Sequence, residues 1–386
     1  MDDLIDRDDN PELGRKLGLS RRQLLAATTG MAAAAALGAA AFGGGPAHAA
    51  TRAAVPGAVK AGGNGVLLPP GKRGIILYTV RDATARDPLK FQNPSGFKEV
   101  FAALSKIGYR QVEFAGYSQH ANAEGGANLE TLEGARLLRS WLDDNGLRAQ
   151  GNHGFIPNWP LSTADADRFK QTLEIANILG MEHVGTGGDP TNSAVKADWD
   201  VAAEKWNALG KIAHEAGLKL YTHNHDTAYS FLLDSGPLDA SGNPTASSGV
   251  RRLEYFLTVT DPKYVYLEMD VYWAHVAQHK FRSYVAADGS TVTSVFDPAR
   301  VVLSANSRFP LFHAKDGNPD PDLADGYHMV PFGLGSIDYE RFFRRVGNTR
   351  TRNPMFEDDT APGGDTTAPA RSLLWAKISY QNLAAL

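Results

Sequence analysis

VYLEMDVYW, residues 265–273, decides the fold when read beside KLYTHNH at 219–225, FPLFHAKDG at 309–317 and NPMFEDD at 353–359. Each is a short apolar run that ends in ionisable side chains. His223 and His225, Glu268 and Asp270, His313 and Lys315, and Glu357 stand at or just past the point where each run stops. Four strands that deliver histidine and carboxylate to one edge supply what a divalent metal site needs. In a parallel β/α barrel that edge is the C-terminal face, where active sites sit. Side chains that served only for solvation would be scattered over helix faces and loops.

Outward from these stretches the chain alternates between two periodicities. GIILYTV (74–80) precedes a helical pattern at 96–107, with Phe97, Val100, Phe101, Leu104 and Ile107 on one face. RQVEFAG (110–116), RAQGNHG (148–154) and HVGTGG (183–188) precede helices at 129–145, 163–179 and 197–216. The four opening stretches lead to helices at 249–260, 296–306, 336–346 and 370–382. Gly108, Gly146, Gly180 and Gly217 stand where helices end. Eight such units predict one α/β domain at 73–386, a closed (β/α)8 barrel. An open doubly wound sheet would need a glycine-rich phosphate turn after the first strand, where TVRDATARD stands instead. Polar stretches 231–248, 280–295 and 317–335 follow barrel strands and are expected to wall a pocket on the functional face.

Upstream, Ser20-Arg21-Arg22-Gln23-Leu24-Leu25 opens a mild Ala/Gly-rich stretch, and Pro46-Ala47-His48-Ala49 gives a small-x-small cleavage pattern. Paired arginines in this setting predict a twin-arginine signal at 1–49, with the export machinery as partner and a periplasmic or extracellular destination. A stable membrane anchor is the competing reading, and Gly30, Gly38 and Gly43 to Gly45 make the stretch a poor span. Residues 50–72, rich in glycine and proline, read as a linker or an arm on the surface. Removing residues 1–49 takes five Lys/Arg and six Asp/Glu from 39 and 43, which leaves a net charge of −3. With no basic block, nucleic acid is not an expected partner. The absence of cysteine excludes thiolate ligands and leaves N and O donors, which suit Mn, Mg, Zn, Co or Fe.

Period two turns Glu268, Asp270 and Tyr272 toward the barrel interior, since Leu267, Met269 and Val271 suit packing against helices. Asp270, nearer the strand end, is the stronger metal candidate; Glu268, a layer deeper, suits a structural role with a cationic partner. His313 stands level with Asp270 and Glu357 on neighbouring strands. Lys315 either neutralises charge developing on the substrate or pairs with Asp316 or Glu357. His223 and His225 share a face, so both reach a metal or one touches substrate. Glu113 and His153 end the second and third strands as substrate contacts or as hydrogen-bonded packing. Asp358 and Asp359 read as loop carboxylates.

Tyr78-Thr79-Val80-Arg81-Asp82, His223-Asn224-His225, Glu268 to Trp273, His313-Ala314-Lys315-Asp316 and Phe356-Glu357 come in an order that resembles the sugar phosphate isomerase/epimerase family of xylose isomerase-like barrels. The resemblance covers about 74–386. It implies a divalent metal held by carboxylates and a histidine of the later strands, here Asp270, His313 and Glu357, activating an α-hydroxyketone. At strand five relatives often carry a glutamate, whereas this chain has His223 and His225, with Ser230 where a later glutamate commonly stands. His225 is then the expected fourth ligand, and His223 a catalytic group beside Glu357 and Lys315. Glu113, His153, Tyr78 and Trp273 are expected to hold the sugar.

The expected activity is a metal-dependent isomerase or epimerase acting by proton transfer next to a carbonyl of a sugar or keto-sugar. Three other readings stand beside it. A keto-glycoside lyase or hydrolase would use the same site, and an inactive exported sugar-binding protein would account for the altered fifth strand. A metal-dependent phosphodiesterase on the same barrel is disfavoured by the export signal and the lack of a basic face.

Overall fold

The computed structural model of the 386-residue chain describes residues 67–347, 349–360 and 371–386. Eight strands form one parallel sheet: β1 Gly74–Ile76, β2 Gln111–Phe114, β3 Arg148–Asn152, β4 His183–Thr186, β5 Lys219–Asn224, β6 Val265–Asp270, β7 Leu311–Ala314 and β8 Asn353–Phe356. Their order is β3-β2-β1-β8-β7-β6-β5-β4. The two outer strands of that order meet through a parallel bridge between His153 and Gly185 and the amide of Gly154, which donates to Gly185 O at 2.8 Å. The sheet is therefore wrapped into a barrel, as the eight-unit alternation predicts.

The helices are α1 Arg81–Ala85, α2 Gly96–Ile107, α3 Leu132–Asp144, α4 Thr163–Leu179, α5 Lys196–Glu215, α6 Arg252–Val259, α7 Val271–Lys280, α8 Pro298–Ser304, α9 Tyr339–Val346 and α10 Arg371–Ala385. Local chemistry sets their ends. In α2, Phe97, Val100, Phe101 and Leu104 recur at helical spacing and bury against the sheet, each stabilising the pair of layers by about 2 kcal/mol. The Glu99 carboxylate reaches back to accept from Ser95 N at 2.7 Å. The Ser162 hydroxyl accepts from Asp165 N to start α4, and Gly180 ends it in the left-handed region, φ +70°.

Two departures from expectation bear on function. Strand β1 stops at Ile76 and the chain turns through a 3-10 segment, Leu77–Val80, so Tyr78 stands on a turn at the barrel mouth. Strand β6 stops at Asp270, whose carboxylate accepts from Trp273 N at 3.1 Å and so caps α7. The apolar VYW that looked like more strand is the first turn of a helix. Each of the three long polar stretches contains a two-stranded antiparallel ribbon: 235–238 with 244–246, 283–285 with 291–293, and 316–319 with 327–330.

Inside the barrel, Tyr221, Leu311 and Met355 form a small apolar plug. Gly74 is required beside it, because a Cβ there would lie 2.1 Å from Met355 Sδ. The large core lies between sheet and helices. The signal expected at 1–49 and most of the 50–72 stretch lie outside the described residues. Of residues 67–72, Leu68 is fully buried and Leu67 N donates to Leu386 O at 3.0 Å, so this portion is joined to the barrel. No helix among the described residues is long and apolar enough to cross a membrane.

Candidate active site

Strand register builds the site. His313 pairs with Asp270 on one side and Met355 on the other, and Glu268 pairs with His223 and Leu311. Paired residues face the same side of a sheet, so these groups form stacked layers inside the barrel above the apolar plug. Ligand atoms of His223, Asp270, His313 and Glu357 all lie within 4.8 Å of one another, and all four residues are buried. His313 Nδ1 stands 2.5 Å from Glu357 Oε2 and 4.0 Å from Asp270 Oδ2, and His223 Nε2 is 3.7 Å from Asp270 Oδ2.

Above this cluster opens a cavity of about 410 Å³, whose wall includes Tyr78, His153, His225, Lys315, Glu357 and Asp359. Lys315 Nζ reaches Asp270 Oδ2 at 2.7 Å, Glu357 Oε2 at 2.8 Å and Asp359 Oδ2 at 3.0 Å. Burial opposes its charge, but these three carboxylates outweigh burial and hold the ammonium well above its ordinary pKa. Burial likewise opposes ionisation of Glu357, yet His313 and Lys315 depress its pKa well below the carboxylate range. Asp270 is pushed up by burial, with Lys315 acting the other way.

A deeper layer holds the cluster in place. His313 Nε2 lies 2.9 Å from Glu113 Oε2 and 3.2 Å from Glu268 Oε2, and the Tyr221 hydroxyl donates to Glu113 Oε1. His153 Nε2 meets Glu268 Oε2 at 2.9 Å. Glu268 is pushed up to about 7, first by burial. Its neighbours include two histidines, His153 at 2.9 Å and His313 at 3.2 Å, and of these only His313 has its pKa raised.

Of the expected site residues, His223, Asp270, His313 and Glu357 come together, with Lys315 among them. His225 lies outside that cluster. Strand β5 ends at Asn224, and His225 begins a 3-10 turn with its amide donating to Asp189 Oδ1 at 2.9 Å. Its ring walls the cavity instead, 4.9 Å from the His223 ring and 5.7 Å from the Trp273 ring. Glu113, expected to touch substrate, is fully buried beneath His313 and off the cavity wall. The β2–β3 register shifts between Val112 and Glu113, and Glu113 pairs with Gly151. Tyr78 and His153 do line the cavity, while Trp273 is not part of its wall. Asp359, read as a loop carboxylate, is part of the wall, and only its place two residues past Glu357 hinted at this.

The donors fit a divalent cation. Asp270 Oδ2, His313 Nδ1 and Glu357 Oε2 are buried and converge on one point, where Lys315 Nζ now stands within 2.8 Å of both carboxylate oxygens. Carboxylates on the far nitrogen of His313 leave Nδ1 facing the cluster, an arrangement that orients metal-binding imidazoles. Two imidazoles and two carboxylates suit borderline or hard divalent ions.

A histidine–carboxylate cup at the C-terminal mouth of a parallel β/α barrel defines a broad class of barrel proteins. The chain belongs to the xylose isomerase-like TIM barrel family, whose description matches residues 101–374, more than half of the chain. Among solved structures, two sugar phosphate isomerase/epimerases from Parabacteroides distasonis share the fold. One is 20% identical with a TM-score of 0.55, covering 81% of this chain and 94% of its own; the other is 17% identical at 0.53, covering 81% and 96%. A probable 3-DHS dehydratase of petrobactin synthesis from Bacillus anthracis is 12% identical at 0.51, covering 80% and 98%. No curated protein matches the sequence.

Proposed function

We propose that the chain is a divalent-metal-dependent isomerase or epimerase that moves a proton next to the carbonyl of a sugar or keto-sugar. The observation that carries this reading is the convergence of His223, Asp270, His313 and Glu357 within 4.8 Å beneath an open cavity. These four would hold the ion, His223 taking the place expected of His225. A bound divalent ion supplies Lewis acidity that polarises a carbonyl oxygen.

The chain's own groups do the rest. Burial keeps the pKa of His225 below its ordinary value, so its ring stands at the cavity wall as a neutral base able to accept a proton. Lys315 stays charged and adds positive potential where negative charge grows on the substrate. Glu357 stays ionised beside it. His153, backed by Glu268, is a second neutral imidazole for a hydroxyl, and Tyr78 offers a ring face at the mouth. The position of Glu113 supports a role in orienting His313.

Metal analysis and C–H exchange in deuterated water test this together. His223→Ala should lose metal and exchange, whereas His225→Ala should keep metal and lose exchange. Full metal occupancy in His223→Ala would remove it from the ligand set. A metal-loaded protein that binds sugars yet exchanges no C–H proton would be a binding protein and not an isomerase.

A further inference from the structure

The charge balance of the cavity bears on which sugars it accepts. Its floor and wall hold three carboxylates, Asp270, Glu357 and Asp359, against one ammonium, that of Lys315, which contacts all three within 3.0 Å. A divalent ion on the proposed ligands brings this set to neutrality and leaves no charge over. Lys315 is the one Lys or Arg side chain on the cavity wall among the described residues.

Arg81 stands beside two wall residues. Its guanidinium donates to Tyr78 O at 2.7 Å and Asp359 O at 2.9 Å and stacks on the Tyr78 ring at 4.0 Å from its centre. It buttresses the mouth and is not part of the wall. The Gly187–Gly188 turn could offer backbone amides to an anion, but Asp189 follows it directly. The segment 361–370, APGGDTTAPA, which follows Asp359 by two residues, contains no Lys or Arg to bring in. A phosphate recognition site needs fixed donors and surplus positive charge, usually arginine, lysine or a free helix N-terminus. The start of α7 is already capped by Asp270.

We infer that the substrate is an uncharged, unphosphorylated sugar or keto-sugar, bound by hydroxyl contacts and the Tyr78 ring face. This rests on the proton-transfer reading above and adds the substrate class. A phosphate ester would set its dianion against Glu357 and Asp359, and like-charge contact in a partly buried cavity costs on the order of 100-fold in affinity.

The test compares unphosphorylated ketohexoses with their 6-phosphate esters on the metal-loaded full chain. Binding is read by ligand-observed NMR and chemistry by C–H exchange in deuterated water. The free sugars should bind and exchange, the esters should bind at least about 100-fold more weakly, and Asp359→Asn should narrow that gap by about 10-fold. Esters that bind as well as or better than free sugars overturn the inference, the more so if Arg81→Ala abolishes their binding, while exchange in those esters would leave the proton-transfer reading standing. Free sugars that bind without exchange, with esters excluded, keep the substrate class and defeat the reaction. Silence with both classes in both assays overturns the two together.

Discussion

Glu113 is a carboxylate with no exposed surface, two barrel layers from solvent, and its removal has a calculable effect. In Glu113→Ala the Tyr221 hydroxyl loses its acceptor, and His313 Nε2 loses the nearer of its two carboxylates, held at 2.9 Å. A buried polar group left unsatisfied costs about 1–3 kcal/mol, and the weakened contact of His313 adds about 1 kcal/mol. Part of this returns, because Glu113 and Glu268 repel each other and burial already raises the pKa of both. We expect a net loss of about 2 kcal/mol in urea unfolding. Metal affinity should also fall by about 10–100-fold, since His313 keeps only Glu268, at 3.2 Å, to orient it. Competition with a chromogenic chelator reads that second effect apart from stability. Glu113→Gln retains one acceptor and should fall between. Glu113→Ala with unfolding within about 0.5 kcal/mol of wild type and unaltered metal affinity would refute the support role of this layer.

Three further outcomes follow from other parts of the molecule. Burial lowers the pKa of His183 to about 3 from an ordinary 6.5, so the unfolded chain binds more protons between those values; stability should fall as pH drops below 6.5, by about 1.4 kcal/mol per unit, and His183→Gln should flatten that slope in unfolding titrations. Asp316 accepts from the amides of Gly317, Gly333 and Gly335 at 2.9–3.1 Å, so Asp316→Ala should cost about 3–5 kcal/mol and open 317–335 to early proteolysis. For the leader we propose twin-arginine export of a folded chain, and changing Arg21 and Arg22 to lysine should hold the protein in the cytoplasm by fractionation; unchanged export would defeat it.

Much of the barrel was legible because each unit announces itself through period. The helices at 96–107 and 163–179 have the bounds that spacing and the closing glycines predict. What could not be read was where a strand hands over to a helix inside one apolar run. Val271, Tyr272 and Trp273 suit either state, and the capping bond from Asp270 decides it, a signal visible only as an Asp ahead of a helix-compatible run. The same uncertainty at one strand end exchanged His223 and His225, which share a face yet differ by one backbone turn. Layer depth was also hidden. Glu113 and His153 both end strands, but the register shift at Val112/Glu113 accompanies one going down and the other out. Asp270, His313 and Glu357 were legible as a set because three neighbouring strands repeat one pattern.

Where β3 meets β4, the ring of strands is zipped by one bridge, one amide and the contact of His183 Nδ1 with Gln150 O at 3.1 Å. His153 rides on that slit, and Gly187 across from it leaves the ring its room, since a Cβ there would stand 2.6 Å from Nδ1. Local opening in proteins begins where backbone bonding is sparse. We expect His153 to shift with this seam more readily than His313, whose strand is paired on both sides. One imidazole of the cavity would then yield to ligands of different girth, restrained by its contact with Glu268 at 2.9 Å.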